Sequence, residues 1–241
     1  MNPNMNPNST RELNQIPRII HQVYEDMNGP SDALLEMSQS WKRHHPAWEY
    51  RFWNRESMED FLHTRFPDFL PVYRAYPFDI QRWDAIRYLI LYHFGGLYAD
   101  MDYECLAPLD LLLQDAGCCM GLEPGQHAAR LQQSFLVGNA LMAAVPRHSY
   151  FELIIEDLIK NRHTVFSDLR IRQILESTGP ILTARIYHSH PDKEQIRLLP
   201  YELIAPLSFH EVRLLLDENH PKEIDEKIEK AYAIHYYMGS W

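Results

Sequence analysis

A chain of 241 residues with 46% apolar and 23% charged content can bury a substantial core, and 23 basic against 33 acidic residues leave a formal charge of −10. That charge offers no broad attraction to nucleic acid or anionic lipid, so a phosphate-bearing ligand needs a local cation, a role a metal ion can fill. No apolar run approaches the ~20 residues that span a bilayer, and the polar N-terminus lacks a signal-peptide core, so a soluble, cytoplasmic protein is expected. Cys105, Cys118 and Cys119 match no zinc spacing and are expected as reduced thiols.

Residues 1–15 include the duplicated polar stretch "MNPNMNPNST" and are expected to form a disordered leader ahead of a single domain over 16–241. "IPRIIHQVY" reads as a first strand, and "SDALLEMSQSWKRHH" as a helix capped by Ser31. "WEYRFWN" alternates like a second strand, after which Asn54 caps the helix "RESMEDFLHTRF". A long helix runs from Phe78 to Phe94 and ends at Gly95-Gly96, and "LYAD" follows as a strand. Further strands are expected near "CCMGLE" and "SFLVG", helices over "HSYFELIIEDLIKN" and "ILTARIYHSH", a charge-rich solvated helix at "HPKEIDEKIEK" and a terminal strand "YAIHYY". The order is that of one α/β domain with a mainly parallel sheet.

Chemistry concentrates in the long helix and the strand after it. At ~100° per residue, Asp84 and Arg87 fall on the same stripe as Ile80, Trp83, Leu91 and Phe94, an inward-facing apolar surface. Two readings stay open: an internal ion pair that offsets its own burial, or a pair lining a polar cleft that binds hydroxyls. Asp100 and Asp102 would share one side of a strand, at the end where α/β sheets bind ligands. Hard oxygen donors there suit Mg²⁺ or Mn²⁺. Glu123 after "CCMGL" and Asn139 after "SFLVG" also follow apolar runs and could meet a second substrate or simply lie in polar loops. His44-His45 and His188/His190 show no zinc partners and read as surface histidines.

The block "PFDIQRWDAIRYLILYHFGGLYADMDYECLAPLD", with "IPRIIHQVY", "STGPILT" and "AIHYYMGSW", resembles family-32 glycosyltransferases, most closely those that mannosylate inositol phosphorylceramide. The resemblance departs at Trp83, where a small residue is usual, and at Tyr24, where Trp is expected; both bear on donor specificity. It implies a GT-A type nucleotide-sugar-binding fold, α/β with a mainly parallel central sheet flanked by helices. It also implies a metal-dependent retaining transferase that moves a hexose from a UDP- or GDP-sugar to a glycan, lipid head group or protein. No nucleic-acid partner is implied, and contact with a membrane would be peripheral. Asp102 and His235 would ligate Mn²⁺ or Mg²⁺, and Asp100 would contact the ribose or the metal. Asp84 and Arg87 would hold sugar hydroxyls, Tyr24 would stack on the base, and Ser240 and Trp241 would close over the diphosphate.

Two other classes compete. In a haloacid-dehalogenase-like phosphatase an Asp-x-Asp also follows a strand, and "VRLLLDEN" offers a second apolar run ending in Asp217-Glu218. That family wants Thr or Val where this chain has Glu104, and its motif opens the domain. The other class is a catalytically silent sugar-nucleotide-binding module that keeps the fold.

Overall fold

The computed structural model describes residues 15–25, 29–215 and 220–238, so nearly all of the leader lies outside it. Strand β1 (Ile19–Val23) leads to helix α1 (Asp32–His44), where Ser31 Oγ accepts the Leu34 amide as the cap. Strand β2 (Glu49–Trp53) leads to α2 (Arg55–Arg65), opened by a reciprocal cap between Asn54 and Ser57. Short α3 (Leu70–Ala75) precedes the 16-residue α4 (Asp79–Phe94), which delivers β3 (Gly96–Ala99). Then come β4 (Tyr103–Cys105), α5 (Asp110–Leu113), β5 (Cys118–Leu122), α6 (Gly125–Arg130) and β6 (Val137–Ala144). The last third carries α7 (Ser149–Lys160), α8 (Arg170–Ser177), α9 (Pro180–Ser189), β7 (Ile196–Leu199), α10 (Tyr201–Ile204), α11 (Phe209–Leu215), α12 (Lys222–Ile228) and β8 (Ala233–His235).

Six strands form one sheet in the order β2-β1-β3-β6-β5-β7. Only β6 runs against its neighbours, so the sheet is mainly parallel, as expected. The terminal strand does not join it: β8 pairs antiparallel with β4 in a separate two-stranded ribbon, with Tyr103 opposite His235. The "SFLVG" strand also differs, beginning at Val137 and running to Ala144, which puts Asn139 inside β6. Its alanine-rich second half carries little strand propensity of its own and is held by the pairing on both sides.

Period-two alternation sorts the strand residues onto two cores. Val23, Tyr98, Cys118, Met120 and Met142 face the layer containing α2, α4, α7 and α9. Ile20, Leu97, Cys119, Leu141 and Ala143 face α1 and the ribbon, around the wholly buried Trp41. Adjacent Cys118 and Cys119 therefore point to opposite faces, and all three cysteines are buried free thiols. One histidine of each pair breaks the surface expectation, whereas His188 is exposed and His44 half-buried. His45 is buried, accepting the Leu109 amide at Nε2 (3.0 Å) and donating from Nδ1 to Trp41 O. His190 is buried too, with Nε2 3.1 Å from Ser149 Oγ.

The turn from α4 into β3 explains the Gly-Gly pair. Gly95 donates to Leu91 O, and both glycines have positive φ (65° and 95°). A Cβ on Gly96 would lie 2.6 Å from Ile19 O and 3.2 Å from His21 Nε2. His21 fixes this turn: its Nδ1 accepts from Trp53 Nε1 (3.1 Å), which leaves Nε2 to donate to Gly95 O (3.0 Å). Burial holds the His21 ring down at about 3, against an ordinary 6.5. Below pH 6.5 the unfolded chain therefore takes up a proton that the folded chain refuses, and the stability this ring contributes is lost as pH falls toward 3. Urea titrations across this range should show the wild type losing about 1.4 kcal/mol per pH unit more than His21→Gln. Parallel slopes would remove His21 as the acid-sensitive group.

Candidate active site

At the C-terminal edge of β3, α4 supplies a buried cation. Arg87, 4% exposed, directs Nη2 at Asp84 Oδ1 (3.1 Å) and Nη1 at Asp100 Oδ1 (3.0 Å). Nη1 also donates to Asn139 O (3.0 Å), and Nε to Trp83 O (3.2 Å). Asp84 is equally enclosed: Oδ1 also accepts from Asn139 Nδ2 and Oδ2 from Thr178 Oγ1, both at 2.9 Å. Burial lifts its carboxyl to about 6 despite Arg87 and these donors, and Arg87 is held well above its ordinary value because Asp100 and Asp84 outweigh the cost of its burial. Tyr98 OH donates to Asp100 Oδ1 (2.6 Å), and its ring lies under the guanidinium.

Asp100 and Asp102 reach their places differently from the strand expectation. β3 ends at Ala99, and the two residues flank a turn in which the Tyr103 amide donates to Asp100 O. Asp100 turns toward Arg87 and Asp102 toward the ribbon, where Asp102 Oδ1 lies 3.3 Å from His235 Nε2 and Oδ2 accepts the Met238 amide (2.7 Å). Even so, ligand atoms of Asp100, Asp102 and His235 all lie within 4.8 Å of one another. Side-chain exposure falls from 24% at Asp100 to 12% at Asp102 and 9% at His235, which leaves Asp100 the most open of the three.

The imidazole of His235 is held between two rings, stacked on Tyr103 at 4.4 Å and tilted against Tyr237 at 4.1 Å. Tyr237 takes up a left-handed backbone (φ 50°), a strained choice that brings the Met238 amide onto Asp102. Burial pulls the His235 ring down, but the Asp102 carboxylate outweighs it and leaves His235 above its ordinary value. Asp102 in turn sits below its ordinary value, because His235 and the Met238 amide outweigh its burial, whereas burial lifts Asp100 against the pull of Arg87. Among the described residues, buried His235 Nδ1 has no hydrogen-bond partner. Two carboxylates and an imidazole whose Nε2 faces one of them are a donor set that Mn²⁺ or Mg²⁺ accepts, so the residues fit the expected cation.

Other expected residues fall around this centre. Tyr24 follows β1, half-buried, and its chain neighbour Glu25 accepts from Trp83 Nε1 (3.1 Å) and pairs with Arg55, so Trp83 bonds the residue next to Tyr24. Glu123 follows β5 and bonds His127 Nδ1 (3.0 Å); Gly138 leaves it room, since a Cβ there would lie 2.7 Å from Oε1. Ser240, Trp241, Asp217 and Glu218 lie outside the described residues. Tyr98, Thr178, Tyr103 and Tyr237 escaped the sequence reading. Tyr98 carried a signal, being two residues before Asp100, whereas nothing local marks Thr178, 94 positions from the carboxylate it serves.

Residues 31–117 match the family described as glycosyltransferase sugar-binding region containing DXD motif. The chain is 34% identical to inositol phosphoceramide mannosyltransferase 2 of Schizosaccharomyces pombe over 226 residues, which covers 94% of this chain and 58% of that protein. It is 32% identical over 195 residues to inositol phosphoceramide mannosyltransferase 1 of the same organism, covering 78% and 57%. The chain thus spans just over half the length of these curated relatives. In fold it is similar to the PaToxG glycosyltransferase, with a TM-score of 0.56 at 14% identity, covering 73% of this chain and 70% of that one. The fold is of the GT-A type, as expected.

The network makes an asymmetric prediction about stability. Arg87→Ala strands two carboxylates, whereas Asp84→Ala leaves Arg87 paired with Asp100. Urea unfolding should show Arg87→Ala losing about 3–5 kcal/mol and Asp84→Ala clearly less. Equal losses would mean that Asp100 contributes nothing to holding the guanidinium.

Proposed function

Because this chain belongs to the DXD-containing, family-32-like glycosyltransferases, we propose that it transfers a hexose from a nucleoside-diphosphate sugar to a lipid head-group hydroxyl, using a divalent cation and retaining anomeric configuration. One observation carries the reading: ligand atoms of Asp100, Asp102 and His235 converge within 4.8 Å beside Arg87, which pairs with Asp100. The names of the relatives support mannose as the hexose and an inositol-phosphate-bearing lipid as the acceptor.

A cation bound there would neutralise charge on the diphosphate as it leaves. The chain's own residues prepare that position. Tyr103 and Tyr237 hold the His235 ring by its two faces, and Tyr98 with Arg87 prevents Asp100 from swinging away. Such preorganisation removes reorganisation from the reaction step, which is where polar catalysts gain most. Asp84 and Arg87 form the sugar end of the site. Their bonds to Trp83, Asn139, Thr178, Asp100 and each other use all but one Nη2 N–H and one Oδ2 lone pair, and with the Arg87 and Asp84 side chains only 5% and 3% exposed a sugar hydroxyl would meet them at that remainder alone. Tyr24 stacks on the base, with Trp83 and Glu25 shaping that end.

Thermal-shift measurements with UDP- and GDP-sugars, with and without Mn²⁺, test the reading. A bound donor at 100 times its Kd adds about 2.7 kcal/mol, which for a domain of this size is a rise of roughly 5–10 °C. The rise, measured against each protein's own midpoint, should require Mn²⁺ and should disappear in Asp102→Asn, whose turnover is abolished and whose unliganded midpoint falls because buried His235 loses its carboxylate partner. Near-normal transfer by Asp102→Asn would refute the cation assignment. A Mn²⁺-dependent shift without turnover on any acceptor would favour the silent binding module.

A further inference from the structure

Nine large apolar side chains are exposed among the described residues, and four of them fall between 159 and 172: Ile159 (39%), Val165 (73%), Leu169 (70%) and Ile171 (59%). The same stretch, "IKNRHTVFSDLRIR", carries Lys160, Arg162, Arg170 and Arg172 against a single carboxylate, Asp168. The stretch sums to +3, or +2 once Glu176, which pairs with Arg172 at 2.7 Å, is counted with it, in a chain of formal charge −10. Elsewhere on the described surface, exposed large apolar residues are scattered along the chain, as is ordinary for a globular protein.

This loop has a built shape. Gln173 Oε1 accepts the Phe166 amide (2.7 Å) and the Ser167 amide (3.1 Å), while its Nε2 donates to Thr164 O (3.3 Å). Ser167 Oγ accepts the Leu169 amide (3.1 Å), and Arg170 lies over the Phe78 ring. The backbone is thus tied down from inside while Val165, Leu169 and Ile171 are left in solvent, which costs hydrophobic free energy unless something covers them. The loop is also joined to the active site. It runs into α8, at whose far end Ser177 bonds Gln81 (2.7 Å) and Thr178 bonds Asp84 (2.9 Å). At ~1.5 Å per residue, the eight residues of α8 set the apolar end about 12 Å from the wall of the sugar site.

We infer that residues 159–172 are a membrane-docking loop that seats the chain on an anionic lipid surface. Aliphatic side chains interleaved with cations match a surface that is apolar below and anionic above. The acidic remainder of the molecule is repelled by the same surface, so the chain docks with this end down. The inference rests on the proposed lipid head-group acceptor, and it supplies the means by which such an acceptor is met at a fixed height beside α8.

The test is co-sedimentation of the full chain with vesicles of phosphatidylcholine mixed with phosphatidylserine, and with phosphatidylcholine alone, with Mn²⁺-dependent donor hydrolysis measured in the same samples. The wild type should bind the mixed vesicles, more weakly as salt rises, and should bind phosphatidylcholine poorly. Lys160→Ser with Arg162→Ser should lower binding about 25-fold, at about fivefold per cation. Val165→Ser, Leu169→Ser and Ile171→Ser combined should abolish it. Both variants should keep the wild-type unfolding midpoint and donor hydrolysis, since none of these side chains lines the site. Absence of wild-type binding to mixed vesicles, or wild-type binding by both variants, overturns the docking loop. If donor hydrolysis persists in that case, the transferase reading stands without it. Vesicle binding with no donor hydrolysis supports the loop and overturns the transferase reading instead.

Discussion

The structure depends on one buried guanidinium. Arg87 is enclosed by the sheet edge, and burying such a charge alone would be prohibitive. Asp84, one helical turn away, cancels part of that cost; Asp100, at the end of β3, cancels more and is thereby fixed in orientation. Asn139 of β6 closes the arrangement by offering its carbonyl to Arg87 and its amide to Asp84. α4, the end of β3, β6 and the residue after α8 therefore meet around one ion-pair network, which turns Asp100 toward Arg87 while leaving it within 4.8 Å of Asp102 and His235. The same contacts that keep the core intact position the first carboxylate of the site.

The other half of the site is built by the ribbon. β4 and β8 are only three residues each, yet they bring together residues more than 130 positions apart, with Tyr103 opposite His235 and Tyr236 OH bonded to Glu104. The aromatic clamp on His235 fixes the ring, and the left-handed Tyr237 turns the backbone so that its next amide holds Asp102.

Local chemistry was legible in the sequence. Ser31 and Asn54 announced helix starts and Gly95-Gly96 a helix end because caps are satisfied by near neighbours. The spacing of Asp84 and Arg87 put both on one buried helix face, because one helical turn separates them, but left open whether they pair or line a cleft; the structure shows the pair. Long-range closure was not legible. "SFLVG" was legible as a strand, but its extension through "NALMAA" was not, because small buried residues become a strand only when paired on both sides. The burial of His45 and His190 and the reach of Thr178 to Asp84 arise from tertiary contacts that leave no local pattern. Asp100 and Asp102 were placed together for the wrong reason: a turn, and not strand alternation, brings them close.

The central claim, that Asp100, Asp102 and His235 form one cation site, is tested most directly by electron paramagnetic resonance of Mn²⁺ titrated into the full chain with GDP or UDP present. The account predicts that the signal of free Mn²⁺ falls with wild-type protein, falls only at much higher protein concentration with His235→Ala, and does not fall with Asp102→Asn. Equal Mn²⁺ uptake by all three proteins would place the cation elsewhere and contradict the account.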